Sequence, residues 1–302
     1  MPENIPLYEI PETARGDANQ GFRVFQLKGK KQELLHTFPQ ETHVPHRHPF
    51  YEICFFLQGS GESEIDFRRS AVCSPGLHFI GPGRVHRIEG DTESLGYVIA
   101  FTREFFCREE SERRLLDEAS FFLAGTEDPS LLLENEDIEY IRMVMENMVR
   151  DYLSTRAWKD NLLRAWLKII LIRSIELFRE KTGTADTSNI HARFIVEKFQ
   201  ILLEKHYKNY HQVNEYADQL AITPDHLNRL TRQTLGKKAS DMILDRIILE
   251  ASRLLLFSDL NVKEIAYQLS FTDPSYFGRL FRKKTGQSPN MFRATMQEKY
   301  HI

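Results

Sequence analysis

The sequence predicts an α+β protein in which an N-terminal β-barrel is followed by helices and then by an all-α domain containing two helix-turn-helix units. Three observations carry this prediction. Short runs rich in Phe, Ile, Tyr and Val alternate with turn residues over 21–101. Apolar residues recur at three- and four-residue steps from about Arg103 onward. A sequence repeat occurs near the C-terminus, and the chain of 302 residues suits about two domains.

The barrel is predicted from four strands and the turns between them. The runs 51–57, 62–67, 77–80 and 96–101 have strand composition. Gly59-Ser60-Gly61 and Gly81-Pro82-Gly83 separate them as turns. Several short strands at this spacing favour a barrel or sandwich. We therefore expect a barrel, with an N-terminal arm, over residues 1–105.

Amphipathic helices are predicted after the barrel, over 106–181. Their apolar stripes indicate core packing by default, and a dimer interface is the functional alternative. The small, polar residues of 182–190 predict a linker. The helical C-terminal domain then occupies 191–302.

The net charge of −3 hides an uneven distribution. Residues 191–302 carry 17 Lys and Arg against 12 Asp and Glu, whereas residues 1–190 carry 23 against 31. An acidic N-terminal part and a basic C-terminal part predict two domains with different partners, and a basic domain suits nucleic acid.

Three cysteines do not make a disulfide framework and fit a reducing compartment. No run approaches the roughly 20 apolar residues that a membrane helix needs. The first residues lack a basic stretch followed by an apolar one, so we expect no signal peptide. The sequence thus predicts a cytoplasmic protein without a membrane partner.

The repeat relates two helix-turn-helix units. The segment from Ala217 to Ile222 matches that from Ala266 to Phe271 at an offset of 49. Each is followed by a helix start, an N-cap residue with Pro at the first helical position, and later by a glycine that ends the helix. These signals are Thr223-Pro224 with Gly236 and Asp273-Pro274 with Gly286. A helix with an apolar stripe is predicted between the units, so that both second helices can enter successive major grooves about 34 Å apart.

The second helix of each unit offers side chains suited to DNA. Arginine pairs bidentately with guanine and asparagine with adenine, so Arg229 and Arg279 are the favoured base contacts and Asn228 is a further candidate. Arg282, Lys283 and Lys284 suit phosphates, and Arg232 takes a phosphate or solvated role. The alternative is that basic residues at a helix end complement its dipole.

The run from Asp259 to Pro289, DLNVKEIAYQLSFTDPSYFGRLFRKKTGQSP, resembles the C-terminal signature of AraC/XylS-family transcription regulators. The resemblance covers about 194–295. It implies a bipartite DNA-binding domain and places base contacts at Asp225, Asn228, Arg229, Ser275, Gly278 and Arg279. The first unit departs from the family pattern at Thr231-Arg232-Gln233.

Four residues of the barrel are candidate effector ligands. The spacing His46-Arg-His48 with Glu52, and the later His86, resembles the two cupin motifs. Three imidazoles and one carboxylate suit a first-row transition metal. The alternative is that the four residues line an organic effector pocket without metal, so no cofactor is assigned. Arg84 and Arg87 are candidates for attracting an anionic effector or, equally, for the exposed surface.

The sequence therefore predicts a sequence-specific DNA-binding transcription regulator, and not an enzyme. We expect an activator controlled by a small molecule in the barrel. Its partners would be double-stranded DNA, the effector, RNA polymerase and, in a homodimer, a second copy. Two alternatives remain: a cupin metalloenzyme with a DNA-binding tail, and a metal-responsive regulator.

Overall fold

The computed structural model describes residues 8–10, 21–28, 44–91, 93–123, 126, 128–182 and 190–300. The chain divides into two compact units, 6–185 and 186–302. Residues 183–189 of the predicted linker, and residues 1–7 and 11–20 of the predicted arm, lie outside the described residues. The domain bounds at 105 and 181 stay predictions.

The N-terminal unit contains two antiparallel sheets. The larger has the strand order β1-β7-β2-β5-β8 and the smaller the order β4-β3-β6. The strands are β1 (Phe22–Lys28), β2 (Tyr51–Gln58), β3 (Gly61–Ile65), β4 (Arg68–Ala71), β5 (Gly76–Ile80), β6 (His86–Gly90), β7 (Leu95–Phe101) and β8 (Ser130–Leu132).

Both faces of the larger sheet are buried, which explains its nearly continuous apolar strands. Alternate side chains of a strand point to opposite faces. On β2, Ile53 and Phe55 belong to the core shared with the helices, whereas Cys54 and Phe56 belong to a cluster with Ile65 of the smaller sheet. That second cluster contains residues of both sheets, and Cys54 is buried within it.

Two local features differ from the sequence prediction. The predicted strand 62–67 ends at Ile65, because Asp66 and Phe67 take positive φ of 49° and 68° and form the turn into β4. Within the segment predicted to be helical, Ser130–Leu132 instead pairs with β5 as an edge strand.

Helices cover the outer face of the larger sheet. They are α1 (Arg103–Phe106), α2 (Glu110–Glu118), α3 (Asn135–Tyr152) and α4 (Lys159–Lys181). Ile141, Val144 and Met148 of α3 and Leu163 and Leu167 of α4 are fully buried. Among the described residues, no helix is both long and apolar enough to cross a membrane.

The C-terminal unit is helical throughout its described part. Its helices are α5 (Ile190–His206), α6 (Val213–Gln219), α7 (Pro224–Leu235), α8 (Ala239–Phe257), α9 (Val262–Gln268), α10 (Pro274–Thr285) and α11 (Pro289–Tyr300). The predicted helix between the two units is α8. A single core includes Ala217, Leu227, Ile247, Ala266 and Phe277, so both repeats and α8 share one apolar interior.

Candidate DNA interface and effector site

The two repeats fold into helix-turn-helix units with the same local devices. Thr223 accepts a hydrogen bond from the backbone N–H of His226, and Asp273 accepts one from that of Ser275. The turns use positive φ at equivalent positions, 54° at Ala221 and 58° at Ser270. Both second helices end at a glycine in the left-handed conformation, with φ of 71° at Gly236 and 81° at Gly286. The predicted helix starts and stops are thus confirmed.

Small residues permit the close crossing inside each unit. Ala217 and Ala266 are fully buried where the first helix packs. On the second helices, Leu227 and Phe277 are fully buried as well. These contacts fix which face of α7 and of α10 stays outside, and that outer face is where DNA would be read.

The outer faces of α7 and α10 carry exposed cations. Within the described part of the chain, no ion pair involves four of the predicted DNA contacts, and all four are exposed. They are Arg229 and Arg232 on α7 and Arg282 and Lys283 on α10. Uncompensated positive charge on an exposed helix face favours binding to a phosphate backbone.

The remaining predicted contacts differ in their surroundings. Asp225 and Ser275 are exposed in the first turn of each helix. Arg279 is exposed, and its Nη2 lies 3.7 Å from Asp273 Oδ2, a pairing too solvated to hold it away from DNA. Asn228 is half-buried, and its side-chain oxygen accepts a hydrogen bond from the N–H of Ser240 at 3.3 Å. Its amide N–H groups are the donors left for a base.

Gly278 and Tyr276 add information that the sequence pattern does not supply. A Cβ at Gly278 would meet no atom of the described part of the chain within 4 Å, so packing within that part does not require glycine there. Tyr276 is not among the predicted DNA contacts, but it is 51% exposed on the same face. Its ring centroid lies 6.0 Å from the guanidinium carbon of Arg279. An exposed aromatic side chain beside an arginine that is predicted to contact a base is a further contact candidate.

The four predicted effector residues meet in the N-terminal unit. His46 pairs with His86 through two backbone hydrogen bonds of 3.0 and 2.8 Å, as an isolated antiparallel bridge. The ring centroids of His46 and His48 lie 4.2 and 4.7 Å from that of His86. The ligand atoms of His48, Glu52 and His86 all lie within 4.8 Å of one another. His46 lies beside this group of three and not within it.

The electrostatics of this site follow from burial. Burial, with a smaller contribution from neighbouring His46, lowers the pKa of His48 to about 3. Burial also places the pKa of His86 well below its ordinary value. The pKa of Glu52 rises to about 7 for the same reason, opposed by a hydrogen bond from the Cys54 thiol. The imidazoles are therefore neutral at neutral pH, the form in which histidine accepts hydrogen bonds or binds metal.

Arg84 has a structural role, which corrects the expectation that it attracts an anionic ligand or lies on the surface. It is buried, its Nε donates to Asp66 Oδ2 at 2.9 Å, and its Nη atoms reach the carbonyls of Leu123 and Thr126. The turn conformation at Asp66 places the carboxylate for this contact. Arg87 is half-exposed beside Glu62 and Glu64, so it too has carboxylate partners.

One residue of the predicted arm reaches the histidines. The N–H of Tyr8 donates to the carbonyl of Arg47 at 2.9 Å, and the Tyr8 ring lies 5.1 Å from that of His46. The described part of the arm therefore covers the His46 side of the site.

Two helix-turn-helix units and a two-sheet domain with a polar site define a DNA-binding regulator with a ligand-binding domain. Residues 216–295 match the family model of the helix-turn-helix domain, and residues 34–139 match that of the AraC-like ligand binding domain. The chain belongs to the AraC family of transcription regulators. This family consists of regulators and not enzymes, which leaves the metal-responsive regulator as the alternative to an organic effector.

Two similar proteins match over most of the chain at low identity, and a solved domain matches its C-terminal third. An uncharacterized HTH-type transcriptional regulator, YfiF of Bacillus subtilis, is 22% identical over 84% of this chain and 79% of its own. The HTH-type transcriptional activator RhaR of Cronobacter sakazakii is 22% identical over 85% of this chain and 88% of its own. The solved C-terminal domain of AraT, a response regulator from Geobacillus stearothermophilus, is 29% identical. The match covers 33% of this chain and 84% of that domain, with a TM-score of 0.32.

Proposed function

We propose that this protein is a cytoplasmic transcription activator that reads specific double-stranded DNA with α7 and α10 and is controlled by an effector at the histidine site. The observation that carries the DNA-reading part is a set of exposed cations on both recognition helices that form no ion pair with any described residue. They are Arg229 and Arg232 on one helix and Arg282 and Lys283 on the other. The same architecture in both repeats supports two contacts with one duplex. Similarity to a protein named as an activator supports the sign of regulation.

The residues proposed to contact DNA divide by chemistry. Arg229, Arg279, Asn228 and Asp225 present groups that distinguish bases, since arginine pairs with guanine and a carboxylate accepts from cytosine. Arg232, Arg282 and Lys283 bind phosphates and give affinity without sequence information. Ser275 and Gly278 let the start and middle of α10 approach the groove.

The effector acts by favouring one arrangement of the regulator over another. A ligand shifts such an equilibrium only by its difference in affinity for the two states. The site suits this role because it joins both sheets: Glu52 comes from β2 of the larger and His86 from β6 of the smaller. Tyr8, which contacts His46 and Arg47, extends the site to the N-terminal segment.

A homodimer through α3 and α4 belongs to the same proposal. Tyr140 and Met143 of α3 and Ile172 of α4 are large apolar side chains that stay between 41% and 46% exposed. Tyr140 and Ile172 also line a groove of about 500 Å³, together with Asp137 and Arg173. Analytical ultracentrifugation should find a dimer, and Ile172→Glu should give a monomer, whereas Leu153→Glu, an exposed position at the end of α3, should not. A monomeric wild-type protein would contradict the dimer.

Selection from random-sequence duplexes with the full chain tests the proposed DNA reading. Fluorescence anisotropy then compares the selected duplex with a scrambled one at several salt concentrations. We expect the affinity for the selected duplex to exceed that for the scrambled one by about 10³ or more. For each duplex, the logarithm of the affinity should fall linearly with the logarithm of the salt concentration. Equal affinities would contradict sequence-specific reading.

Transcription in vitro tests the sign of regulation. With the selected site placed upstream of a promoter, RNA polymerase should make more transcript when the protein is added. A decrease would identify a repressor instead.

A further inference from the structure

We infer that the effector is a divalent first-row transition metal ion held by Nε2 of His48, Nε2 of His86 and the carboxylate of Glu52. This inference rests on the proposed function, because it names the ligand of the proposed effector site. The argument comes from the orientation, burial and spacing of these three groups.

The protons of the two histidines are placed by the backbone. Nδ1 of His48 lies 2.8 Å from the carbonyl oxygen of Phe50, and Nδ1 of His86 lies 3.2 Å from that of Arg84. A carbonyl oxygen only accepts hydrogen bonds, so each Nδ1 carries the proton and each Nε2 keeps its lone pair. A backbone carbonyl that receives Nδ1–H is the arrangement that orients metal-binding histidines in proteins.

The Nε2 lone pairs of both histidines are buried. His48 and His86 are 1% and 2% exposed, and within the described part of the chain neither Nε2 has a hydrogen-bond partner. Nearly all buried polar atoms in proteins have a hydrogen-bond partner, so two neighbouring nitrogen atoms without one require an explanation. A bound cation that accepts both lone pairs supplies it.

The spacing fits one ion. Ligand atoms about 2.0–2.2 Å from a common metal lie roughly 3–4 Å apart. Nε2 of His48 lies 3.6 Å from Oε2 of Glu52, and all three ligand atoms lie within 4.8 Å of one another. The Glu52 carboxylate brings the negative charge that a buried divalent cation needs.

The donor set selects the class of ion. Imidazole nitrogen with one carboxylate suits manganese, iron, cobalt, nickel or zinc, whereas calcium and magnesium take oxygen ligands. Cys54 is not a ligand, since its thiol donates to Oε1 of Glu52 at 3.3 Å and so orients the carboxylate. Because Glu52 and His86 belong to different sheets, the ion cross-links the two sheets of the domain.

Metal titration of the full chain, purified without a histidine tag and stripped with chelator, tests the site. Cobalt(II) absorption and equilibrium dialysis with manganese, cobalt, nickel and zinc should show one ion per chain, with a raised melting temperature. His48→Gln and Glu52→Gln should each weaken binding at least tenfold. His78→Gln is the matched control, because buried His78 already uses Nε2 with the N–H of Cys73. No binding by any of the four ions, or binding unchanged in both ligand variants, would overturn the site.

Affinity for the selected duplex, measured with and without cobalt(II), separates the two proposals. A change of tenfold or more that Glu52→Gln abolishes supports metal as the effector. If metal binds at the three residues and the DNA affinity does not change, metal is not the effector. That result would not contradict the proposed DNA-binding regulator. Absence of any sequence-specific binding, with or without metal, contradicts the proposed function itself.

Discussion

Asp245, near the middle of α8, forms an ion pair with Lys284 at the end of α10, with 2.5 Å between the two charged atoms. Its other oxygen pairs with Lys237, which follows the end of α7. One carboxylate on the connecting helix therefore holds a lysine from each helix-turn-helix unit. Both lysines lie close to the cationic helix ends that are proposed to bind phosphates.

Asp245→Asn should tighten non-specific DNA binding several-fold. Removing the carboxylate charge releases Lys237 and Lys284 to neutralise phosphates of the duplex and displace counterions. The slope of log affinity against log salt should steepen by the equivalent of up to about two phosphate contacts. Anisotropy with a scrambled duplex at several salt concentrations measures both effects. Asp241→Asn makes the same charge change at an exposed position of α8 and should have the smaller effect. Equal changes in the two variants would show that the pairing is irrelevant to DNA.

Asn228→Ala should lower the free energy of unfolding by about 1 kcal/mol in the absence of DNA. The Asn228 oxygen accepts the N–H of Ser240 in the first turn of α8, where backbone donors lack partners within the helix. Asn228→Asp keeps an acceptor and should retain most of the stability. Urea unfolding of the full chain compares the two variants, and an equal loss in both would refute the capping role.

Gly278→Ala should stabilise the fold while weakening specific DNA binding. Alanine inside a helix is favoured over glycine by about 1 kcal/mol, and a Cβ at this position meets no atom of the described residues within 4 Å. If α10 lies close to the duplex, the added methyl group meets the DNA instead. Thermal unfolding and anisotropy with the selected duplex give the two readouts. A more stable variant with unchanged specific affinity would place Gly278 away from the DNA.

Arg84→Gln should lower the free energy of unfolding by about 3 kcal/mol or more, because it removes the buried cation that pairs with the Asp66 carboxylate. Arg87→Gln is the matched control. Its ion pairs with Glu62 and Glu64 are 3.9 and 3.8 Å long and partly solvated, so its loss should cost less than about 1 kcal/mol. Similar losses in the two variants would contradict the structural role of Arg84.

Local signals explain why the C-terminal unit is predictable from sequence. Thr223 and Asp273 cap their helices through contacts two or three residues away, and Gly236 and Gly286 end them in the conformation that glycine favours. The internal repeat shows the same signals twice. The caps, the stops and the buried alanines therefore follow from the chain itself.

Features set by distant parts of the chain are not predictable in this way. The pairing of Ser130–Leu132 with β5 depends on contacts more than 50 residues apart. The burial of Arg84 depends on a turn at Asp66 that two non-glycine residues adopt with positive φ. The HxH spacing predicts the histidine site, but only the fold shows that His46 lies outside the group of three ligand atoms.

Hydroxyl-radical footprinting of the selected duplex with the full chain tests the central claim most directly. The wild-type protein should protect two segments about one helical turn apart, since two recognition helices enter successive major grooves. Arg229→Ala should remove one protected segment and Arg279→Ala the other, while Lys205→Ala, an exposed lysine on α5, should leave both. A single protected segment, or two segments that neither arginine variant changes, would contradict DNA reading by two helix-turn-helix units.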